Sequence, residues 1–160
     1  MQLLKANLIQ CREELPAFGV RLDTIGDLSG LPPDILPLLE QAKEIGRDGD
    51  KLNLVLAINY GSRDEIRRAV QQIAREVAEG KIAPEEITEQ TIAEHLDTVP
   101  WGDPELFIRT SGEMRVSNFL LWQICYAEIY VIDVLWPDFT PGHLLEAVQT
   151  YQQRQRRLGK

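Results

Sequence analysis

Apolar positions along this chain follow two periods in alternation. Leu3, Leu4, Leu8, Ile9 and Cys11 recur at roughly helical spacing, which predicts a helix over 2–15 ended by Pro16 and Gly19. Val20 to Ile25 alternates and predicts a strand stopped by Gly26 and Asp27. Leu31-Pro-Pro-Asp34 reads as a turn into a second helix, with Pro33 at its first position and Ile35, Leu38, Leu39 and Ala42 on its buried face. Leu52 to Ile58 is almost unbroken apolar sequence, which fits a strand covered on both faces, with Asn59-Tyr60-Gly61 at its carboxyl end. Ser62-Arg-Asp-Glu65 has the spacing of a capping box, and Ile66, Val70, Ile73 and Val77 form one helical stripe behind it.

The second half repeats the theme. Thr88 caps a short helix through Leu96, and 97–104 is a loop with Pro100, Gly102 and Pro104. Leu106 to Ile108 and Ile129 to Val134 read as strands. Leu144, Leu145, Val148 and Tyr151 give a last helix its apolar stripe, and Arg154, Arg156 and Arg157 make its end basic, which suits the helix dipole. Strands alternating with helices predict an α/β fold with a largely parallel central sheet flanked by helices, with no interdomain linker and no internal repeat. In such sheets ligands collect beyond the carboxyl ends of the strands. Asn59 and Arg109 both fall at such ends.

Composition narrows the function classes. The chain has 160 residues, 25 acidic against 17 basic, for a net charge of -8. That argues against nucleic acid as the main partner, while leaving room for a local arginine pair on an anion. Cys11 and Cys125 are far apart in apolar surroundings and read as buried free thiols. The first residues lack the apolar core of a signal peptide, and no apolar run nears the ~20 residues that span a bilayer. The expectation is a cytoplasmic protein whose membrane contact, if any, is peripheral.

The chemistry concentrates in Ile108-Arg-Thr-Ser-Gly-Glu-Met-Arg-Val-Ser-Asn-Phe119. Arg109 closes a short apolar run, Arg115 follows six residues later, and Thr110, Ser111 and Ser117 supply hydroxyls. Guanidinium forks, hydroxyls and free backbone N–H groups in one loop suit a phosphate or diphosphate. The same residues also fit a surface ion-pair network with Ser117 as a helix cap, and spacing alone does not separate the two. Beyond lies the mostly apolar run Phe119 to Ala127, then Glu128. An anion clamp beside an apolar wall, with a carboxylate at its far end, describes a site for a lipid diphosphate and a divalent metal.

The run from Arg109 through Glu128, continued by Leu135-Trp-Pro-Asp-Phe139, resembles the cis-prenyltransferases, or isoprenyl transferases, with undecaprenyl diphosphate synthase nearest in pattern. The resemblance extends back to Asn59-Tyr-Gly-Ser-Arg63 and forward to Arg157-Leu-Gly159. It implies that Arg109, Arg115 and Ser117 bind the diphosphate of isopentenyl diphosphate. It also implies that Glu128 is a Mg2+ ligand, that Asn59 stands at the catalytic edge, and that Arg157 and Gly159 reach across a homodimer toward the other subunit's substrate. Glu113 lies near the site without an assigned role. The implied reaction condenses isopentenyl diphosphate with an allylic diphosphate to build a cis-polyprenyl diphosphate. Two segments typical of the family, His-x-x-Asp-Gly-Asn-x-Arg-Trp and Ser-x-Glu-Asn-x-x-Arg-Pro, do not occur in these residues. Residues 1–160 are therefore expected to be the C-terminal portion of a single isoprenyl transferase domain, N-terminally truncated and with little activity alone. The alternative is a non-catalytic dimer subunit that supports an active enzyme.

Overall fold

A computed structural model describes residues 2–154, apart from the side chains of Arg12 and Glu13. The chain divides into two compact units, Met1–Tyr60 and Gly61–Lys160.

The first unit runs α1 (Gln2–Phe18), β1 (Val20–Ile25), α2 (Leu36–Ile45) and β2 (Leu52–Ala57). β1 and β2 pair in parallel, from Val20 opposite Leu52 to Ile25 opposite Ala57. Both helices contact β1 and each other. Leu8 and Leu15 of α1, Leu22 of β1, Leu31, Ile35, and Leu39 and Ala42 of α2 make the core. Burying each of the larger side chains contributes about 1.5–3 kcal/mol.

Two expectations shift here. α1 continues past Pro16 to Phe18 and ends at Gly19, whose φ of 65° is a conformation that favours glycine. α2 begins at Leu36, later than Pro33, because Ile35 N–H already bonds the Pro32 carbonyl in the preceding turn. Pro37 then occupies the first turn, where a missing N–H costs nothing. The covered strand expected over 52–58 is also corrected. Leu56 and Ile58 pack on the core, but Leu52 and Leu54 are exposed, and among the described residues β2 pairs with β1 alone.

The second unit holds α3 (Ser62–Ala78), α4 (Glu89–Ala93), β3 (Leu106–Arg109), β4 (Glu128–Val131) and α5 (Pro141–Gln153). β3 and β4 pair in parallel, from Leu106 opposite Glu128 to Arg109 opposite Val131. α5 contacts both strands. Ala147 is the fully buried residue of α5, whereas Leu144 and Leu145 of the expected stripe are exposed. The parallel strand pairs and flanking helices are those of the expected α/β class, with the strands paired two by two among the described residues.

Along α3 the buried positions are Ser62, Glu65, Ala69 and Ile73, so the inward face lies one residue before Ile66 and Val70 and meets the expected stripe at Ile73. Val70 is exposed. The cap expectation fails for the same reason. Gly61 is the N-cap and has no side chain to offer, while Ser62 and Glu65 serve long-range contacts described below. Thr88 does cap α4, accepting from Thr91 N–H at 3.2 Å, although the helix ends at Ala93 rather than Leu96.

Candidate diphosphate-binding site

The pleat of β3 and β4 sorts their side chains onto two faces. Phe107, Arg109, Ile129 and Val131 share one face. With Glu113, Met114, Arg115 and Val116 they line a cavity of about 310 Å³. The structure thus brings Arg109 and Arg115 together against an apolar wall. Phe107 is buried and stacks obliquely on Phe119, with ring centroids 6.3 Å apart.

Arg109 is the last residue of β3, and its backbone carbonyl accepts from Ile132 N–H at 2.9 Å. The loop beyond it is tied down by Ser111 N–H to the Val134 carbonyl (2.8 Å) and Gly112 N–H to the Ile132 carbonyl (3.0 Å). Ser111 and Gly112 have φ of 65° and 62°. A Cβ on Gly112 would also meet Asp133 Oδ1 at 3.0 Å, so this turn calls for glycine twice over.

Within this frame, Arg109 Nε is buried and has no hydrogen-bond partner among the described residues. An unmet buried donor costs about 1–3 kcal/mol, more for a charged group. Arg115 differs. It is 70% exposed, and its Nη1 forms an ion pair with Glu113 Oε2 at 2.5 Å. The site thus holds one guanidinium short of an acceptor and one already paired.

Ser117 begins a strained stretch rather than a helix. Ser117, Asn118 and Leu120 all take positive φ, at 49°, 61° and 48°. Ser117 therefore caps no helix, and a 3₁₀ turn over Gln123–Tyr126 follows. Ser117 is exposed and does not line the cavity.

What holds this stretch is the start of α3. Asn118 Oδ1 accepts from Arg63 N–H, and its carbonyl from Ser62 N–H, both at 2.9 Å. Gly61 permits the approach, since a Cβ there would lie 2.8 Å from Asn118 Nδ2. Ser62 Oγ accepts from Leu121 N–H at 3.0 Å. Gln123 Nε2 donates to Glu65 Oε2 (3.2 Å) and Thr98 Oγ1 (2.9 Å), and Glu65 Oε1 accepts from Asp97 N–H at 3.0 Å. Ser62, Glu65 and Gln123 are all buried. Gln123 Oε1 is buried without a partner among the described residues. These supports went unrecognised in sequence. A polar residue inside an apolar run, as Gln123 is, was the available signal.

The expectation that Glu128 adjoins the clamp is corrected. Glu128 starts β4 opposite Leu106, three residues before the level of Arg109, or about 10 Å along the strands. The pleat also sets it with Tyr130 on the other face. There Arg154 Nη1 donates to its Oε2 at 2.6 Å. Burial first, and then the Glu146 carboxylate of α5, raise the Tyr130 phenol pKa. No group of three or more His, Cys, Asp or Glu side chains arranged for a metal occurs among the described residues. One carboxylate already bound to arginine is a poor magnesium site, which wants several oxygens.

Asn59 belongs to the first unit and follows the end of β2. Its φ is 48°, and its Nδ2 donates to the Asp27 carbonyl at 2.9 Å, so the side chain closes the turn after β1. Arg157 and Gly159 lie outside the described residues. Cys125, expected to be buried, is exposed, as are Tyr126 and Trp136. Among the described residues, no helix is long and apolar enough to cross a membrane.

Comparison with known proteins shows the family to which the fold belongs. A family model described as "Putative undecaprenyl diphosphate synthase" matches residues 1–159. The chain belongs to the undecaprenyl diphosphate synthase family of prenyltransferases. Family relatives include an isoprenyl transferase of Chlamydia trachomatis, 54% identical over 141 residues, or 88% of this chain and 56% of that protein. An isoprenyl transferase of Agrobacterium fabrum is 48% identical over 159 residues, or 99% of this chain and 64% of that one. The chain thus spans little more than half of these relatives' length. Among solved structures, lavandulyl diphosphate synthase from Lavandula x intermedia, in complex with dimethylallyl diphosphate, aligns with a TM-score of 0.91 at 33% identity. It is matched over 99% of this chain and 67% of its own. A probable undecaprenyl diphosphate synthase from Campylobacter jejuni aligns at 0.85 and 36% identity, over 99% of this chain and 72% of its own.

Proposed function

We propose that this chain supplies the isopentenyl diphosphate site of an isoprenyl transferase that builds a cis-polyprenyl diphosphate. The observation that carries the reading is the buried, partnerless Arg109 Nε beside Arg115 in a cavity with apolar walls. Guanidinium groups bind phosphate oxygens in charge-assisted pairs. Phe107, Val116, Ile129 and Val131 offer the five-carbon tail an apolar surface.

Gripping the diphosphate fixes the nucleophilic alkene. In the reaction its terminal carbon bonds to C1 of an allylic diphosphate. The C–O bond there breaks, diphosphate leaves with the electron pair, and a proton is lost to leave a cis double bond. The clamp's contribution is orientation. Ser117 is assigned to the same diphosphate by the family pattern, which requires its exposed hydroxyl to reach the cavity. Asn59 is assigned to the edge of the reacting carbons on the same ground.

The magnesium that the family pattern implies needs ligands besides Glu128, which does not hold it unaided. A homodimer follows from the Arg157-Leu158-Gly159 pattern and its proposed reach to the other subunit. A cytoplasmic enzyme meeting the membrane only through its lipid product fits the rest. Of the family activity, these 160 residues are expected to retain binding and to elongate poorly, because the family's aspartate segment is not among them.

Calorimetric titration of the purified chain with isopentenyl diphosphate tests the reading. Saturable binding lost in Arg109→Ala supports it, and no binding by the unaltered chain refutes it. Incorporation of radiolabelled isopentenyl diphosphate tests the poor elongation, which robust turnover would disprove.

A further inference from the structure

The diphosphate reading leaves one side chain of the cavity unaccounted for, and it has the wrong sign. Glu113 lines the same cavity as both arginines and is two-thirds buried, with 33% of its side chain exposed. A carboxylate there should repel an incoming diphosphate. Its Oε2 instead sits on Arg115 Nη1, the more exposed of the two guanidinium groups. We infer that Glu113 is an internal counter-anion: it occupies Arg115 until a diphosphate displaces it, and so makes the second half of the clamp conditional on a strongly charged ligand. This inference rests on the diphosphate reading of the cavity.

Three observations carry it. Arg109 is fixed at a strand end with an unmet buried donor, so it is the standing half of the clamp and meets the anion first. Arg115 is mostly exposed and paired only two residues away, so rotating about its own long side chain frees it without moving the backbone. The Glu113 backbone follows a turn pinned to Ile132 and Val134, which keeps its carboxylate close to where the phosphate must arrive. An ion pair this exposed is weak enough to be exchanged. A diphosphate offers more charge and more acceptors than one carboxylate, and wins Arg115 by mass action. Glu113 acts through Arg115 and is a positioning residue.

The test is a titration with inorganic pyrophosphate, and separately with isopentenyl diphosphate, at low and moderate salt. Glu113→Gln keeps the shape and removes the competing charge. It is expected to tighten pyrophosphate binding about two- to five-fold. In an Arg115→Ala background the same change is expected to give no gain, since no exchange remains to be eased. A merely structural glutamate would not show that dependence. Glu113→Ala provides a second variant, and thermal melting checks that each one folds. Unchanged or weaker binding by Glu113→Gln overturns the inference, because Glu113 would then be holding Arg115 ready for the ligand. A gain that persists without Arg115 also overturns it, since it would reflect only general repulsion. If the unaltered chain binds no pyrophosphate, the diphosphate reading itself fails; if it binds and only these variants disagree, that reading stands.

Discussion

Two buried polar regions of the second unit differ in how they are completed. Behind the clamp, Glu65, Asp97, Thr98 and Gln123 bond one another across α3, the loop after α4 and the 3₁₀ turn, and Ser62 bonds Leu121 beside them, with Gln123 Oε1 the one buried side-chain atom of the cluster left unmet among the described residues. At the clamp, Arg109 Nε meets nothing among the described residues. A cluster whose members bond each other fixes a shape, and a donor left over beside an open cavity invites something from outside. Polar burial alone does not mark a site; a buried donor left unmet at a cavity does.

The sharpest way to break this contrast is through Glu65. Glu65→Ala should strip Asp97 N–H of its Glu65 acceptor, leave Gln123 Nε2 with Thr98 alone, and cost about 2–4 kcal/mol, read as a lowered denaturant midpoint. Losses of that size should also loosen Ser117 to Gln123 and weaken diphosphate binding indirectly. Next comes Arg109→Ala, expected to weaken isopentenyl diphosphate binding about 10- to 100-fold by calorimetry while the melting temperature holds or rises, since it removes an unmet buried donor. A folded Arg109→Ala chain with unchanged affinity would erase the distinction between the two regions.

Smaller effects sharpen the boundary between them. Glu128→Gln should leave pyrophosphate affinity unchanged in chelator-treated buffer, because Glu128 faces α5 and pairs with Arg154. Chemical denaturation should show a cost of about 0–1 kcal/mol, as for other partly exposed ion pairs. The smallest expected effect is pH-dependent. His95 Nδ1 donates to the Thr91 carbonyl at 2.7 Å, and its Nε2 lies 3.1 Å from Glu76 Oε2. The Thr91 bond and then Glu76 raise its pKa above the usual 6.5, against the opposing pull of burial. Its stabilising contribution is therefore full below pH 6.5 and fades as pH climbs through the raised value. The lowered pKa of Glu76, bonded to His95, contributes above its ordinary 4.5 and is lost as pH falls through the lowered value. The link from α3 to α4 should thus be strongest between roughly pH 4.5 and 6.5, and melting across pH 4 to 8 should lose that modest maximum in His95→Gln.

Much of this was legible in sequence because it is local. β1 spans the alternating run, Thr88 caps its helix, and Arg109 ends its strand, as turn chemistry and period suggested. Errors arose where a distant group outbid a near one. Ser62 and Glu65 fit a capping box by spacing, but the backbone N–H groups of Leu121 and Asp97 claimed their side chains. The same contacts turned Glu65 inward and moved the buried face of α3 away from Val70. Glu128 was placed with the clamp by its order in the chain. Counting strand residues would have put it at the other end of the pleat. The arginine pair itself was visible as a motif, whereas the Glu113 contact depends on how the 110–112 turn bends.

Ser111, Ser117, Asn118 and Leu120 stand in a region of backbone space that residues with side chains seldom visit. Holding four of them there is a toll exacted when the chain folds, so little disorder remains to be frozen out when an anion lands. The same stretch should resist random mutation out of proportion to its exposure. Glycine or asparagine would be the natural replacements for Leu120, and a β-branched residue the least tolerated.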